Sequence, residues 1–174
     1  MADIRELVMS KKRALEVLEE IVPGFAGYKE KELRRESDRL LREKLAEQLR
    51  ELGDKIDAVY EDIVDSKLTR HYDEMNRITA LMDRLISKVE KADYGYAGFF
   101  SALKVREEEL DRLYEYDRSM FADAVALEQK VAALADEVTA EGPRVGALIK
   151  ELRKVLHGFE AKFDRRKDVM LKTE

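Results

Sequence analysis

From Phe99 to Val138 the chain keeps one spacing without a slip: Phe99, Leu103, Arg106, Leu110, Leu113, Asp117, Met120, Ala124, Leu127, Val131, Leu134 and Val138. Steps alternating between four and three residues are the heptad period, which lays a single stripe along a helix. A helix over 99–140 is about 60 Å long at 1.5 Å per residue. A rounded globule of this 174-residue chain has a radius of gyration of only about 16 Å. Such a helix needs neighbours of similar length, so the expected fold is all-α: an elongated antiparallel up-down helical bundle or coiled coil of four to five long helices.

The rest of the chain supplies them. Ile4, Leu7, Leu15, Leu18 and Val22 mark a helix over 3–22, ended by Pro23-Gly24. Leu41, Leu45, Leu49, Leu52, Ile56, Val59 and Ile63 stripe a second over 28–65, and Leu68, Tyr72, Met75, Met82, Leu85 and Val89 a third over 67–92. The step from Ile63 to Leu68 is five residues, which turns the stripe by more than a third of a revolution. A break between Asp65 and Arg70 is therefore favoured over one continuous helix, although no glycine or proline marks it. After the 99–140 helix, Gly142-Pro143 turns the chain into a helix over 143–171, with Pro143 at its first position. That helix carries Val145, Leu148, Leu152, Leu156, Phe159, Phe163 and Met170.

Composition agrees and excludes several classes. Ala, Glu, Leu, Lys and Arg fill more than half the chain, and 45% of residues are hydrophobic, enough to offset ordering entropy despite 41% charged. The formal net charge of −5 is finely mixed in sign, which disfavours nucleic acid as a partner. No cysteine is present, so disulfides, thiolate metal sites and cysteine nucleophiles are out. The charged start of the sequence does not resemble a signal peptide, and no run approaches ~20 apolar residues, so a cytoplasmic location is expected.

Gly24-Phe-Ala-Gly-Tyr28 and Gly95-Tyr-Ala-Gly-Phe99 repeat one pattern, and Asp38 to Leu41 is echoed by Asp111 to Tyr114. The offsets of 71 and 73 residues raise a duplicated hairpin, 24–93 and 95–172, within a single domain. With a break near residue 66 both turns come to the same end of the rod. Their aromatics Phe25, Tyr28, Tyr94, Tyr96, Phe99 and Phe100 then either plug that end or form a tip for docking a protein partner.

Two charges interrupt the long heptad. Arg106 and Asp117 are candidates for buried polar groups that set register or partner choice. The spacing favours the plainer alternative, snorkelling toward the bundle edge. Eleven residues apart, they are too distant to pair, so a partner for either must come from another helix.

No catalytic constellation emerges. A ferritin-like di-metal bundle needs two Glu-x-x-His pairs and further inward carboxylates. Here both histidines read in reverse, as His71-x-x-Glu74 and His157-x-x-Glu160, and flank the stripes. No cofactor, metal or small-molecule substrate is expected. The expected function is a non-enzymatic scaffold or adaptor binding a protein partner, which includes self-association into a homo-oligomer. The basic, amphipathic stretch from Lys162 to Lys172 gives weak contact with an anionic membrane surface as the runner-up.

Overall fold

The structure is a computed structural model that describes residues 14–25, 27, 34–92 and 107–171. Helix α1 covers 14–21, α2 is Arg34–Asp65, α3 is Tyr72–Lys91 after a 3-10 turn at Thr69–His71, α4 is Glu107–Thr139 and α5 is Val145–Leu171. The helices pack on one another into an all-α bundle, with no strand among the described residues. At 32 and 33 residues, α2 and α4 are each about 50 Å long, so the bundle is elongated. The expected segments 3–13, 28–33 and 99–106 lie outside the described residues.

The stripes read from the sequence are the core. All seven of Leu41 to Ile63 are buried, as are Met75, Met82, Leu85 and Val89, and the α4 heptad from Leu113 to Val138. In α5 the core phase differs by one residue at its start: Ile149 is buried at 1% exposure, and Leu148 only packs against the core's edge.

The break after Asp65 is real, and two backbone bonds explain it without glycine. Lys67 N donates to Val64 O at 2.9 Å and Leu68 N to Ile63 O at 3.0 Å, closing a Schellman cap. Lys67 takes the left-handed position at φ 55°, and Leu68 packs as the apolar lock. The α4–α5 turn repeats the device, with Glu141 N to Val138 O and Gly142 N to Glu137 O. There Glu141, not the adjacent glycine, has the positive φ of 51°. Gly142 is needed for space: a Cβ on it would sit 2.1 Å from the Glu137 carboxylate. That carboxylate accepts from Arg144 N at 3.0 Å just before α5 begins, leaving Pro143 ahead of the helix rather than at its first position.

Cross-helix pairs give the arrangement. Arg50–Glu90 and Thr79–Asp57 make α2 and α3 antiparallel; Lys130–Glu151 and Glu137–Arg144 do the same for α4 and α5. Between the hairpins like-directed helices adjoin. Lys55 meets Glu128 across α2 and α4, while Glu74–Arg153, Arg84–Glu160 and Lys88–Asp164 climb α3 and α5 together. Going round the bundle the order is α2, α3, α5, α4, so α2 and α5 sit on a diagonal. Helix α3 ends level with Arg50, whereas α2 runs down to Arg34, about 24 Å further. At that level Ala14, Leu18, Val22 and Phe25 supply the apolar contacts that α3 does not reach, and Gly24 adjoins Leu40.

Replacing Lys67 with glycine removes the left-handed penalty and should raise stability by roughly 1 kcal/mol, read from denaturant midpoints. An unchanged or lower midpoint would contradict the cap.

Candidate functional site

The heptad that positions the core also carries charge into it. In α2 the steps Asp38, Arg42, Leu45, Leu49 run four, three, four; in α5 Phe159, Phe163, Arg166, Met170 do likewise. With Asp117 of α4, these charges meet at the end of the bundle that α3 does not reach. Asp38, Arg42, Asp117 and Arg166 are 1%, 4%, 0% and 0% exposed.

Arg166 is the hub. Its guanidinium grips Asp117 with a two-point fork, Nε to Oδ1 at 2.6 Å and Nη2 to Oδ2 at 3.0 Å. The remaining arm, Nη1, donates to Asp38 Oδ1 at 2.7 Å. The other Asp38 oxygen accepts from Arg42 Nε at 2.9 Å. Two cations and two anions cancel, and three helices are joined through one side chain. Planar two-point pairing of this kind fixes angle as well as distance, which a lysine does not. Nearby, Ser37 Oγ donates to Gly27 O at 3.0 Å, and Tyr114 packs edge-on against Phe25 with centroids 6.2 Å apart. Gly27 has φ +79°, and a Cβ on it would meet the Tyr114 hydroxyl at 2.9 Å, so only glycine fits that approach.

Chemically this is a lock, not a reaction centre. The acids and bases face each other, shielded from water. Asp117 is therefore not snorkelling: a carboxylate has too short a stem to reach solvent from mid-stripe, and its partner comes from another helix. Arg106 lies outside the described residues. Phe25 is 4% exposed and belongs to the core, so it drops out of the docking tip; it fills the bundle end beside Tyr114. Tyr28, Tyr94, Tyr96, Phe99 and Phe100 lie outside the described residues. Sequence reasoning missed Asp38, Arg42 and Arg166. The signal was present, since Arg166 fills the skipped heptad step between Phe163 and Met170.

The histidines stay apart from this network. His71 sits in the 3-10 turn, where burial and then the neighbouring Arg70 charge lower its pKa; His157 is 52% exposed, 3.9 Å from Glu160. Among the described residues no group of three or more His, Cys, Asp and Glu is placed to hold a metal, and no helix is long and apolar enough to cross a membrane.

A second, more open cluster ties α3 to α5. Glu160, 14% exposed, accepts from Arg84 at 3.0 Å and Lys88 at 3.1 Å. The Arg84 hydrogen bond foremost, then Lys88, outweigh burial and bring its pKa down to about 2. Beside it an open groove of about 500 Å³ is lined by Arg84, Lys88, Lys91 and Lys167 over Phe163. A smaller cleft of about 70 Å³ between α2 and α4 holds Gln48, whose Oε1 is buried without a partner.

Compared with known proteins, the chain matches no family, and no curated protein or solved structure is similar to it.

Arg166→Met takes the two-point fork from buried Asp117 and one of the cations from Asp38 and should cost about 3–5 kcal/mol, whereas replacing Asp38, Arg42, Asp117 and Arg166 together by apolar residues of similar volume should be neutral or stabilising. Equal losses in both would argue against a closed network. Glu160 has a folded pKa below its unfolded one, so its stabilisation is present above the ordinary carboxylate range and fades as pH falls toward about 2. Glu160→Gln should thus cost on the order of 1 kcal/mol at neutral pH, after allowing for solvent screening, and nothing near pH 2. A gap that does not close with acid would show that pairing is not its source.

Proposed function

We propose that this protein is a non-enzymatic helical scaffold or adaptor that acts through protein–protein association along its helix faces. The observation carrying this reading is the network of Arg166 with Asp117, Asp38 and Arg42. It turns these four buried ionisable groups toward one another, holding helices in one register. A fixed rod with charged outer faces suits a presenting surface better than a catalyst. A tip formed by Tyr28, Tyr94, Tyr96, Phe99 and Phe100 belongs to the same proposal, as does a cytoplasmic location.

A peripheral, membrane-surface role is the second reading. Favouring it are Lys91 and Lys167, which line the groove between α3 and α5 beside the paired Arg84, Lys88 and Asp164 and would attract anionic headgroups.

Cross-linked capture from the native cell, followed by rebinding of the recovered protein in purified form, tests the first reading. Expected is a saturable complex with a protein ligand and no retention on anionic vesicles at moderate salt. Firm vesicle flotation with no purified protein ligand would replace the scaffold reading by the membrane one.

A further inference from the structure

The outward face of α5 carries Ala147, Lys150, Lys154, His157, Gly158, Ala161 and Arg165, all exposed. The two acids on the same columns of this face, Glu151 and Asp164, are already paired with Lys130 and Lys88, while Lys150, Lys154 and Arg165 form no salt bridge among the described residues. It is also flat. Gly158 lies mid-helix, where glycine is disfavoured, yet a Cβ there would meet nothing within 4 Å, so packing inside this molecule does not account for it. A small residue at such a place lets another helix come close.

The face that complements it is on the same molecule, across the diagonal. The outward side of α2 from Glu51 to Asp65 presents Glu51, Asp54, Ala58, Glu61 and Asp65, flanked by Asp57 and Asp62. All are exposed, and none of the acids is in a salt bridge among the described residues; Lys55 on that stretch is already engaged by Glu128. The charged stretches, Lys150 to Arg165 on α5 and Glu51 to Asp65 on α2, are each about 22 Å long at the helical rise, so lengths match as well as signs. Because α2 and α5 lie on a diagonal and meet through the core at Asp38 and Arg166, their outward faces look out on opposite sides and cannot close on each other within one chain.

We infer that the cationic face of α5 docks on the acidic face of α2 in a second copy of this chain. The contact is heterologous, so each copy can accept one neighbour and donate to another, giving an open row of rods rather than a closed dimer. It rests on the scaffold reading and names one partner for it. Exposed charge pairs are individually weak and screened by salt, so the assembly is reversible and ionic-strength dependent.

Light scattering across a concentration series tests this. At about 50 mM salt the mass of the wild-type chain should rise with concentration, and at about 500 mM, where the screening length falls to a few ångströms, it should return to the monomer. A variant with Lys150→Glu, Lys154→Glu and Arg165→Glu should stay monomeric at low salt, as should one with Asp54→Lys, Glu61→Lys and Asp65→Lys. An equimolar mixture of the two should associate again, because each supplies the sign the other lacks. Unchanged helical circular dichroism guards against misfolding, and exchange at Gly158→Leu, which crowds the face without altering charge, should weaken wild-type association at least tenfold. The inference is overturned by a wild-type chain that stays monomeric at low salt, by variants that associate like wild type, or by a mixture that does not recover. It is equally overturned by anionic vesicles binding the α5 face without self-association. A monomeric chain that still binds a purified protein ligand would remove this assembly and leave the scaffold reading standing.

Discussion

One guanidinium holds the ends of three helices in place. Arg166 gives two donors to Asp117 and a third to Asp38, and Arg42 completes the second carboxylate. Apolar side chains at the other heptad positions are interchangeable in kind, and the attraction among them has no direction. A helix can slide by a turn along such a stripe and lose little. The charged fork cannot slide, because any shift leaves a charge in the core without its partner, a loss of several kcal/mol. The network's contribution is to register more than to stability.

That fixed register explains how two hairpins of unequal reach share one core. Helix α3 stops level with Arg50, and below it the chain's first described residues, Ala14, Leu18, Val22 and Phe25, provide the apolar contacts. The network sits where α3 has ended, so the part of the bundle with fewest helices from the hairpins has the most directional bonds. Further along, the ladder of Arg84, Lys88 and Glu160 aligns α3 with α5 at the surface, where solvent weakens each pair and several are needed.

With the interior committed in this way, the surface is what remains for function. The outer sides of α2 and α5 carry opposite charge, with Glu51, Asp54, Glu61, Asp65, Lys150, Lys154 and Arg165 in no salt bridge among the described residues, and they point away from each other. A rod so built is suited to meeting other molecules along its length, and the proposals of scaffold and of self-assembly both draw on that geometry.

The sequence by itself determined which residues are helical and which side of each helix is inward, because a three-and-four spacing is a property of one segment and needs no partner to be read. Leu41 to Ile63 and Leu113 to Val138 were legible on those terms, whereas the spacing marked Asp117 as an inward charge but favoured its reaching solvent, which burial overturned. Three things were decided only in three dimensions. The break at Lys67 rests on a left-handed backbone that a lysine adopts as the price of a closed cap. The neighbours of each helix follow no local pattern: α2 lies beside α4, running the same way, and is joined to it by Lys55 and Glu128, 73 residues apart. And Arg166, though its heptad place marks it as inward, gains its partners only when folding brings it to Asp117 and Asp38. A spacing says that a side chain is buried; only the partners it meets, contributed by distant segments, decide whether a buried charge is a fault or a lock.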